Sequence, residues 1–311
     1  MDGYLPYAFF EGEIMPLEDA KVSIATHALQ YGTACFGGIR GYLAHDGSTI
    51  NVLRLRDHCT RFTRSARLLK IALPRDIDGL CELAVELTRR NAPTSDCYFR
   101  PFAYKAGLQL GPNLHNVADG FALYMLPLGS YYPKPALDVM TSSWRRTEDA
   151  AIPSRGKISG SYANASLAKD EADAHGFDDA IMLNNRGKVA EVSVSNFFMV
   201  RDGKLLTTPV SSDVLEGITR RSVIELAGQL GIEVVEREID RSELYLADEL
   251  VSCGTGVQIM PIASVDRRPV GEGGIGPLTQ RLQSAFQAVV RGEDPSFARW
   301  LTPVSVTAAV V

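Results

Sequence analysis

The stretch Gly129-Ser-Tyr-Tyr-Pro133-Lys-Pro135 stops every hydrophobic period in the chain, and so marks where one core ends and another begins. Before it, residues 7 to 17 alternate around Glu11-Gly12-Glu13 as a hairpin does. Helical spacing follows at Phe62, Ala66 and Leu69 and again at Leu80, Ala84 and Leu87, with charged residues on the opposite faces. Strand-like runs occupy 97 to 104 and 120 to 128. After the break come an apolar strand at 136 to 141, an Ala-rich helix from about 161 to 175, and strands near 179 to 183, 189 to 193, 196 to 201 and 204 to 207. A helix from Thr219 carries Val223, Ala227 and Leu230 on one face and stops at Gly231, and another covers 277 to 290. The Gly271-Glu-Gly-Gly-Ile-Gly276 turn reads as a flexible loop, and the tail after Pro303 as disordered. The expected class is α+β, with a small N-terminal domain over 1–128, a linker over 129–135 and a larger strand-rich domain over 136–311. A chain of 311 residues that is 45% hydrophobic has apolar material for two such cores.

Charge and composition exclude several roles. A net charge of -5, from 32 basic and 37 acidic residues, provides no basic stripe for nucleic acid. The opening Met1-Asp-Gly-Tyr-Leu-Pro lacks the basic and apolar regions of an export signal, and no run of 18 apolar residues occurs. A cytoplasmic protein without membrane partners is expected. Cys35, Cys59, Cys81, Cys97 and Cys253 are odd in number, scattered and free of any CxxC pair, which favours reduced thiols over disulfides or zinc. The five histidines show no ligand spacing, so no metal is expected.

From Lys157 to Gly256 several short motifs follow in a fixed order. Lys157 lies in Ile152-Pro-Ser-Arg-Gly-Lys-Ile-Ser-Gly-Ser-Tyr162, ahead of a helix. Then come Glu191-Val-Ser-Val-Ser-Asn196-Phe-Phe198, Leu206-Thr207-Thr208, Leu215-Glu216-Gly217-Ile218-Thr219-Arg220 and Ser252-Cys-Gly-Thr-Gly256. Each has an ordinary reading when taken singly. A lysine in an irregular stretch is a solvated charge, a strand glutamate an exposed carboxylate, and a Gly-Thr-Gly turn the end of a strand. Together they supply an amine that can condense with an aldehyde, an acid that can keep a pyridine nitrogen protonated, and a helix N-terminus that can receive a phosphate.

That spacing resembles the signature of the class IV aminotransferases, the fold type IV pyridoxal phosphate enzymes. The N-terminal half adds His27-Ala-Leu-Gln-Tyr31-Gly, Phe36-Gly-Gly-Ile-Arg40-Gly-Tyr42 and Tyr98-Phe-Arg100-Pro101, which look like the branched-chain aminotransferase subgroup. The matching motifs run from about residue 8 to about residue 285. The resemblance implies the D-amino acid aminotransferase-like fold, with two α/β domains joined by a short linker. It implies pyridoxal 5'-phosphate as cofactor, held by Lys157, Arg61, Tyr162, Glu191, Ile218, Thr219 and Thr255. Lys157 would carry the cofactor and move the proton at the substrate's α carbon, Glu191 would face the pyridine nitrogen, and Tyr162 would bond the phenolic oxygen. Arg61 and the Thr255 hydroxyl would join the N–H groups of Ile218 and Thr219 on the phosphate. Phe36, Tyr98 and Tyr131 would line a pocket for branched side chains, with Tyr31 entering from a neighbouring subunit. Arg100 would receive the distal carboxylate of glutamate or 2-oxoglutarate, and the Thr255-Gly256 backbone the α-carboxylate. The partners implied are amino acids, 2-oxo acids and a second copy of the chain.

Three positions and one four-residue stretch depart from the subgroup pattern. Gly37 and Ser195 stand where Glu is common, Gly256 replaces Ala, and Lys105-Ala-Gly-Leu108 differs in a loop that closes over the neighbour's site. Two other activities share the cofactor residues: an (R)-selective amine or D-amino acid transaminase, and an aminodeoxychorismate lyase. Tyr98-Phe-Arg100-Pro argues against the transaminase alternative. From another class, a cofactor-binding relative without turnover would show visible absorbance but no half-reaction.

Overall fold

A computed structural model describes residues 3–306. The chain forms two units, one of Met1–Gly129, Gly156–Gly160 and Ala288–Val311, the other of Ser130–Arg155 and Ser161–Gln287. The first division falls at the expected linker. The assignment of all of 136–311 to the second domain, Lys157 included, is corrected at two places. Backbone pairing explains both: Ile158 bridges Cys35, and a C-terminal strand, Leu301–Ser305, pairs with Thr49–Leu53. Hydrophobic periodicity reports which face of a strand is buried and not which distant strand it meets.

In the first unit, β1 (Tyr7–Phe10) and β2 (Glu13–Pro16) form the expected hairpin. A short helix α1 (His27–Tyr31) precedes β3 (Ala34–Phe36), β4 (Ile39–Leu43) and β5 (Thr49–Leu53). Helices α2 (Leu55–Leu68) and α3 (Ile77–Asn91) then lead to β6 (Cys97–Lys105) and β7 (Asp119–Pro127). The sheet runs C-terminal strand, β5, β4, β6, β7, β1, β2, with β3 also on β6, and its pairings are antiparallel. Phe62 and Ala66 of α2 and Leu80, Ala84 and Leu87 of α3 are buried, as their spacing requires, in one core with Ile50, Val52 and Phe99. Each large apolar side chain so buried contributes roughly 1.5–3 kcal/mol. The Asp76 side chain accepts from Gly79 N–H (2.9 Å) and caps α3. Pro303, where disorder was expected to begin, lies within the C-terminal strand; residues 307–311 lie outside the described residues.

In the second unit, β8 (Leu137–Arg145) is followed by α4 (Tyr162–Ala174), β9 (Asp179–Leu183), β10 (Val189–Val192), β11 (Asn196–Arg201) and β12 (Lys204–Thr207). Helix α5 (Ile218–Gln229) precedes β13 (Val234–Glu236), β14 (Glu249–Gly254), β15 (Gln258–Val265), β16 (Arg268–Pro269) and α6 (Pro277–Arg291), whose residues from Ala288 on belong to the first unit. The sheet order is β10-β9-β8-β15-β14-β11-β12-β13, with β16 on β15. Two of its parallel pairs, β8 with β9 and β12 with β13, are consecutive strands, and such pairs need a crossover. Helices α4 and α5 are those crossovers. Ala168 and Ala172 let α4 lie close on Ala180 and Met182, while Phe197, Met199, Leu250 and Ile262 fill the main core. Helix α5 ends at Gln229 with Leu230 as its C-cap, and Gly231, the stop expected from the sequence, takes the left-handed backbone (φ 71°). Among the described residues no helix is long and apolar enough to cross a membrane.

Candidate active site

The lysine is fixed by backbone before its side chain is considered. Lys157 N–H donates to Ser65 Oγ on α2 (3.1 Å), and Lys157 C=O accepts from Phe36 N–H on β3 (3.0 Å). Gly156 permits this closeness, since a Cβ there would meet Leu68 Cδ1 at 2.7 Å. Lys157 Nζ sits 5.0 Å from the centre of the Phe36 ring. Arg61, half-buried on α2, accepts at its carbonyl from the same Ser65 hydroxyl (3.0 Å). The first unit therefore brings Lys157, Arg61 and Phe36 to one place.

Two further expected residues join them. The Arg100 guanidinium lies over the Phe36 ring (4.6 Å) and the Tyr98 ring (5.3 Å), and its Nη2 donates to Tyr98 Oη (3.5 Å). Arg100 Nε is buried without a hydrogen-bond partner among the described residues. A cation held by aromatic faces with a spare buried donor is suited to an incoming carboxylate. Glycine at 37 has a local cause in this chain: a Cβ there would come 2.5 Å from Pro101 Cγ. Next to Phe36, burial pushes the Cys35 thiol up to about 12, which keeps it protonated and unreactive.

In the second unit Glu191, on β10, is buried at 3% exposure. Its Oε1 pairs with Arg146 Nη2 (2.8 Å), and its Oε2 accepts from Asn196 Nδ2 (3.0 Å) and Leu215 N–H (3.4 Å). Asn196 also donates to Leu215 C=O (2.9 Å), and β11 pairs it with Cys253 on β14. A Cβ at Gly217 would fall 1.9 Å from Asn196 Oδ1, so only glycine lets α5 begin this close to the acid. Gly217 provides no capping side chain, and Ile218 and Thr219 open the helix buried at 7% and 5% exposure. First-turn N–H groups need an acceptor from outside the helix, and an anion is one. Thr255 and Gly256 form the turn between β14 and β15, and Tyr162 is the first residue of α4.

A model of the family described as amino-transferase class IV matches residues 37–265. The chain belongs to that family. It is 40% identical over 304 residues to the branched-chain-amino-acid aminotransferase of Escherichia coli K12, covering 96% of this chain and 97% of that protein. The branched-chain amino acid aminotransferase from Thermobaculum terrenum, in its PLP form, superposes with a TM-score of 0.93 at 38% identity, covering 98% of this chain and 100% of that one. The branched-chain aminotransferase from the thermophilic archaeon Thermoproteus uzoniensis, crystallised with norvaline, gives a TM-score of 0.92 at 38% identity, covering 96% of this chain and 98% of that one.

Against this class IV background the remaining expected residues take definite places. Tyr31 is 38% exposed, and its hydroxyl accepts from Gly111 N–H (2.9 Å), so it is tied to the 105–111 loop of its own chain. Tyr131 is half exposed and packs beside Gly256, where a Cβ would meet Tyr131 Cδ2 at 3.3 Å. The Ser195 hydroxyl bonds Ser252 Oγ (2.6 Å) in the buried interior, and Lys105 is buried with Asp119 Oδ1 and Lys70 C=O at 2.7 Å each. Two residues of the acid's surroundings escaped the sequence reading. Arg146 sits in Trp144-Arg145-Arg146-Thr147, just past the end of β8, where no period marks it. Asn196 was visible in its motif, but its contacts with Glu191 and Leu215 arise only from folding.

Proposed function

We propose that this chain is a pyridoxal 5'-phosphate-dependent aminotransferase that exchanges the amino group of L-leucine, L-isoleucine or L-valine with 2-oxoglutarate. The donor set fits the cofactor. Glu191 is a buried carboxylate oriented by Arg146, Asn196 and Leu215 N–H, which suits it to hold a proton on a pyridine nitrogen. The uncapped, buried start of α5 suits a phosphate, and Arg61 and the Thr255 hydroxyl are the further candidates for binding one. Lys157 would hold the cofactor's carbonyl carbon and Tyr162 its phenolic oxygen. When bound, the cofactor supplies an electron sink for negative charge at the substrate's α carbon. The Lys157 amine would take the proton from the α carbon of the incoming amino acid and, in the second half-reaction, give one to the α carbon of the 2-oxo acid that accepts the amino group.

The observation that carries the choice of substrates is Arg100, flanked by Phe36 and Tyr98 and left with an unpartnered buried donor. Aromatic faces receive an isobutyl group, while the guanidinium receives the distal carboxylate of glutamate. Tyr131 and Gly256 are the further substrate residues in this reading, and the Thr255-Gly256 backbone would bind the α-carboxylate. The reading includes a homodimer in the cytoplasm. Ile24, Leu29, Tyr31, Leu108 and Leu110 are exposed large apolar residues on α1 and the segments flanking it, a surface suited to a second copy. Tyr31 and the 105–110 loop would cross together into the neighbour's site.

A panel of purified protein with L-leucine, L-isoleucine, L-valine, D-alanine and (R)-1-phenylethylamine, each against 2-oxoglutarate and pyruvate, tests this. The expected result is turnover of the three L-amino acids with 2-oxoglutarate. Preference for the D-amino acid or the (R)-amine overturns it, as does pyruvate release from aminodeoxychorismate. Light scattering at low concentration should give twice the chain mass.

A further inference from the structure

We infer that Ser65 is a positioning residue that sets the register of Lys157 against α2, the helix that carries Arg61. The inference rests on the reading of Lys157 as the lysine that holds the cofactor. Ser65 is fully buried on α2, one helical turn past Arg61. Its hydroxyl has one proton, and that proton is given to Arg61 C=O (3.0 Å). The oxygen is thereby turned outward from the helix as an acceptor, and it takes the N–H of Lys157 (3.1 Å).

The same short segment is held from its other side. Lys157 C=O accepts from Phe36 N–H (3.0 Å), and Ile158 bridges Cys35, so the lysine's peptide groups have one partner on α2 and one on β3. Gly156 lies so close to α2 that a Cβ would meet Leu68 Cδ1 at 2.7 Å. This leaves the Lys157 backbone no freedom to slide along the helix. A flexible lysine side chain has four rotatable bonds, so aiming its amine at one carbon depends on where its backbone begins. Ser65 supplies that origin through a side-chain bond that substitution can remove, whereas the Phe36 and Cys35 contacts are made by backbone.

The test separates attachment of the cofactor from simple binding. Pyridoxamine 5'-phosphate has no aldehyde and binds without a bond to lysine, so it reports the phosphate and ring contacts alone. In the full-length Ser65→Ala protein stripped of cofactor, its affinity should stay within about twofold of the wild type. The rate at which Lys157 captures pyridoxal 5'-phosphate, followed by absorbance, should fall roughly tenfold to a hundredfold, as a misplaced reacting group requires. Ser65→Cys, with a weaker acceptor of similar size, should fall between, and it carries the test if the alanine variant does not fold. Equal loss of pyridoxamine 5'-phosphate affinity and of capture rate makes Ser65 a support of α2 as a whole and overturns the proposal, as does an unchanged capture rate. Borohydride reduction of the wild type and peptide mapping come first. If the reduced cofactor lies on another lysine, the reading of Lys157 itself fails, an outcome distinct from failure of the Ser65 role.

Discussion

Arg146 Nη2 stands 2.8 Å from Glu191 Oε1, and both side chains are almost wholly buried. The two come from β10 and from the residue after β8, and their pairing orients the acid by charge as well as by hydrogen bonds. Replacing Arg146 by methionine leaves a buried carboxylate without its guanidinium. The expected cost is about 3–5 kcal/mol of stability, measured by urea unfolding. The loss should shrink in the Arg146→Met, Glu191→Gln double variant, because the second change removes the stranded charge.

Glu191→Gln alone should keep the fold and the cofactor yet lose most turnover. A neutral amide still reaches Asn196 but holds no proton on a pyridine nitrogen. Steady-state assay should show a deficit of roughly 2–4 kcal/mol in the barrier, as for loss of a preorganised electrostatic group. Wild-type turnover in this variant would remove Glu191 from the chemistry.

Arg100→Ala should damage the half-reaction with glutamate far more than the one with leucine. A distal carboxylate entering beside Phe36 and Tyr98 loses hydration and needs a charged partner, whereas an isobutyl group needs none. Single-turnover spectra with each amino acid should differ by several kcal/mol in apparent affinity, on the order of 2–5. Equal damage to both would assign Arg100 to the support of the pocket.

Glu243 gives a stability prediction far from the chemistry. Its side chain accepts from Arg237, which together with Asp240 N–H and nearby Arg201 lowers its pKa from 4.5 to about 2. A carboxylate depressed in the folded state stabilises the protein above its unfolded pKa and ceases to do so as pH falls through the folded value. Glu243→Gln should therefore lower the unfolding midpoint at pH 7, with the gap from wild type closing between pH 4.5 and about 2. A gap independent of pH would show that shape and not charge matters there.

Local order was largely legible in the sequence. The hairpin at residues 7 to 17, the buried faces of α2 and α3, and the start and stop of α5 follow from periodicity and glycine chemistry, because those forces act over a few residues. The family motifs also singled out Lys157, Glu191 and the α5 entrance as candidates. What escaped was long-range. Nothing near Arg146 in the chain announces a contact with Glu191, and Ser65 reads as an ordinary small residue close to several arginines. The C-terminal strand looked featureless because its period is cut by Pro303. Proline is tolerated there because the strand lies at the sheet edge, with β5 as its sheet partner.

That last strand ties folding to synthesis. The first unit begins at the N-terminus, yet its outermost sheet pairing uses Leu301–Ser305, and the peptide that holds Lys157 arrives only after the chain has made its first entry into the second unit. A ribosome releasing this chain from its N-terminus thus exposes β5 with one edge open until Leu301–Ser305 has emerged. The N-terminal half cannot be finished before the C-terminal half is made, and a fragment ending near residue 129 would carry an unpaired strand edge into the crowded cell.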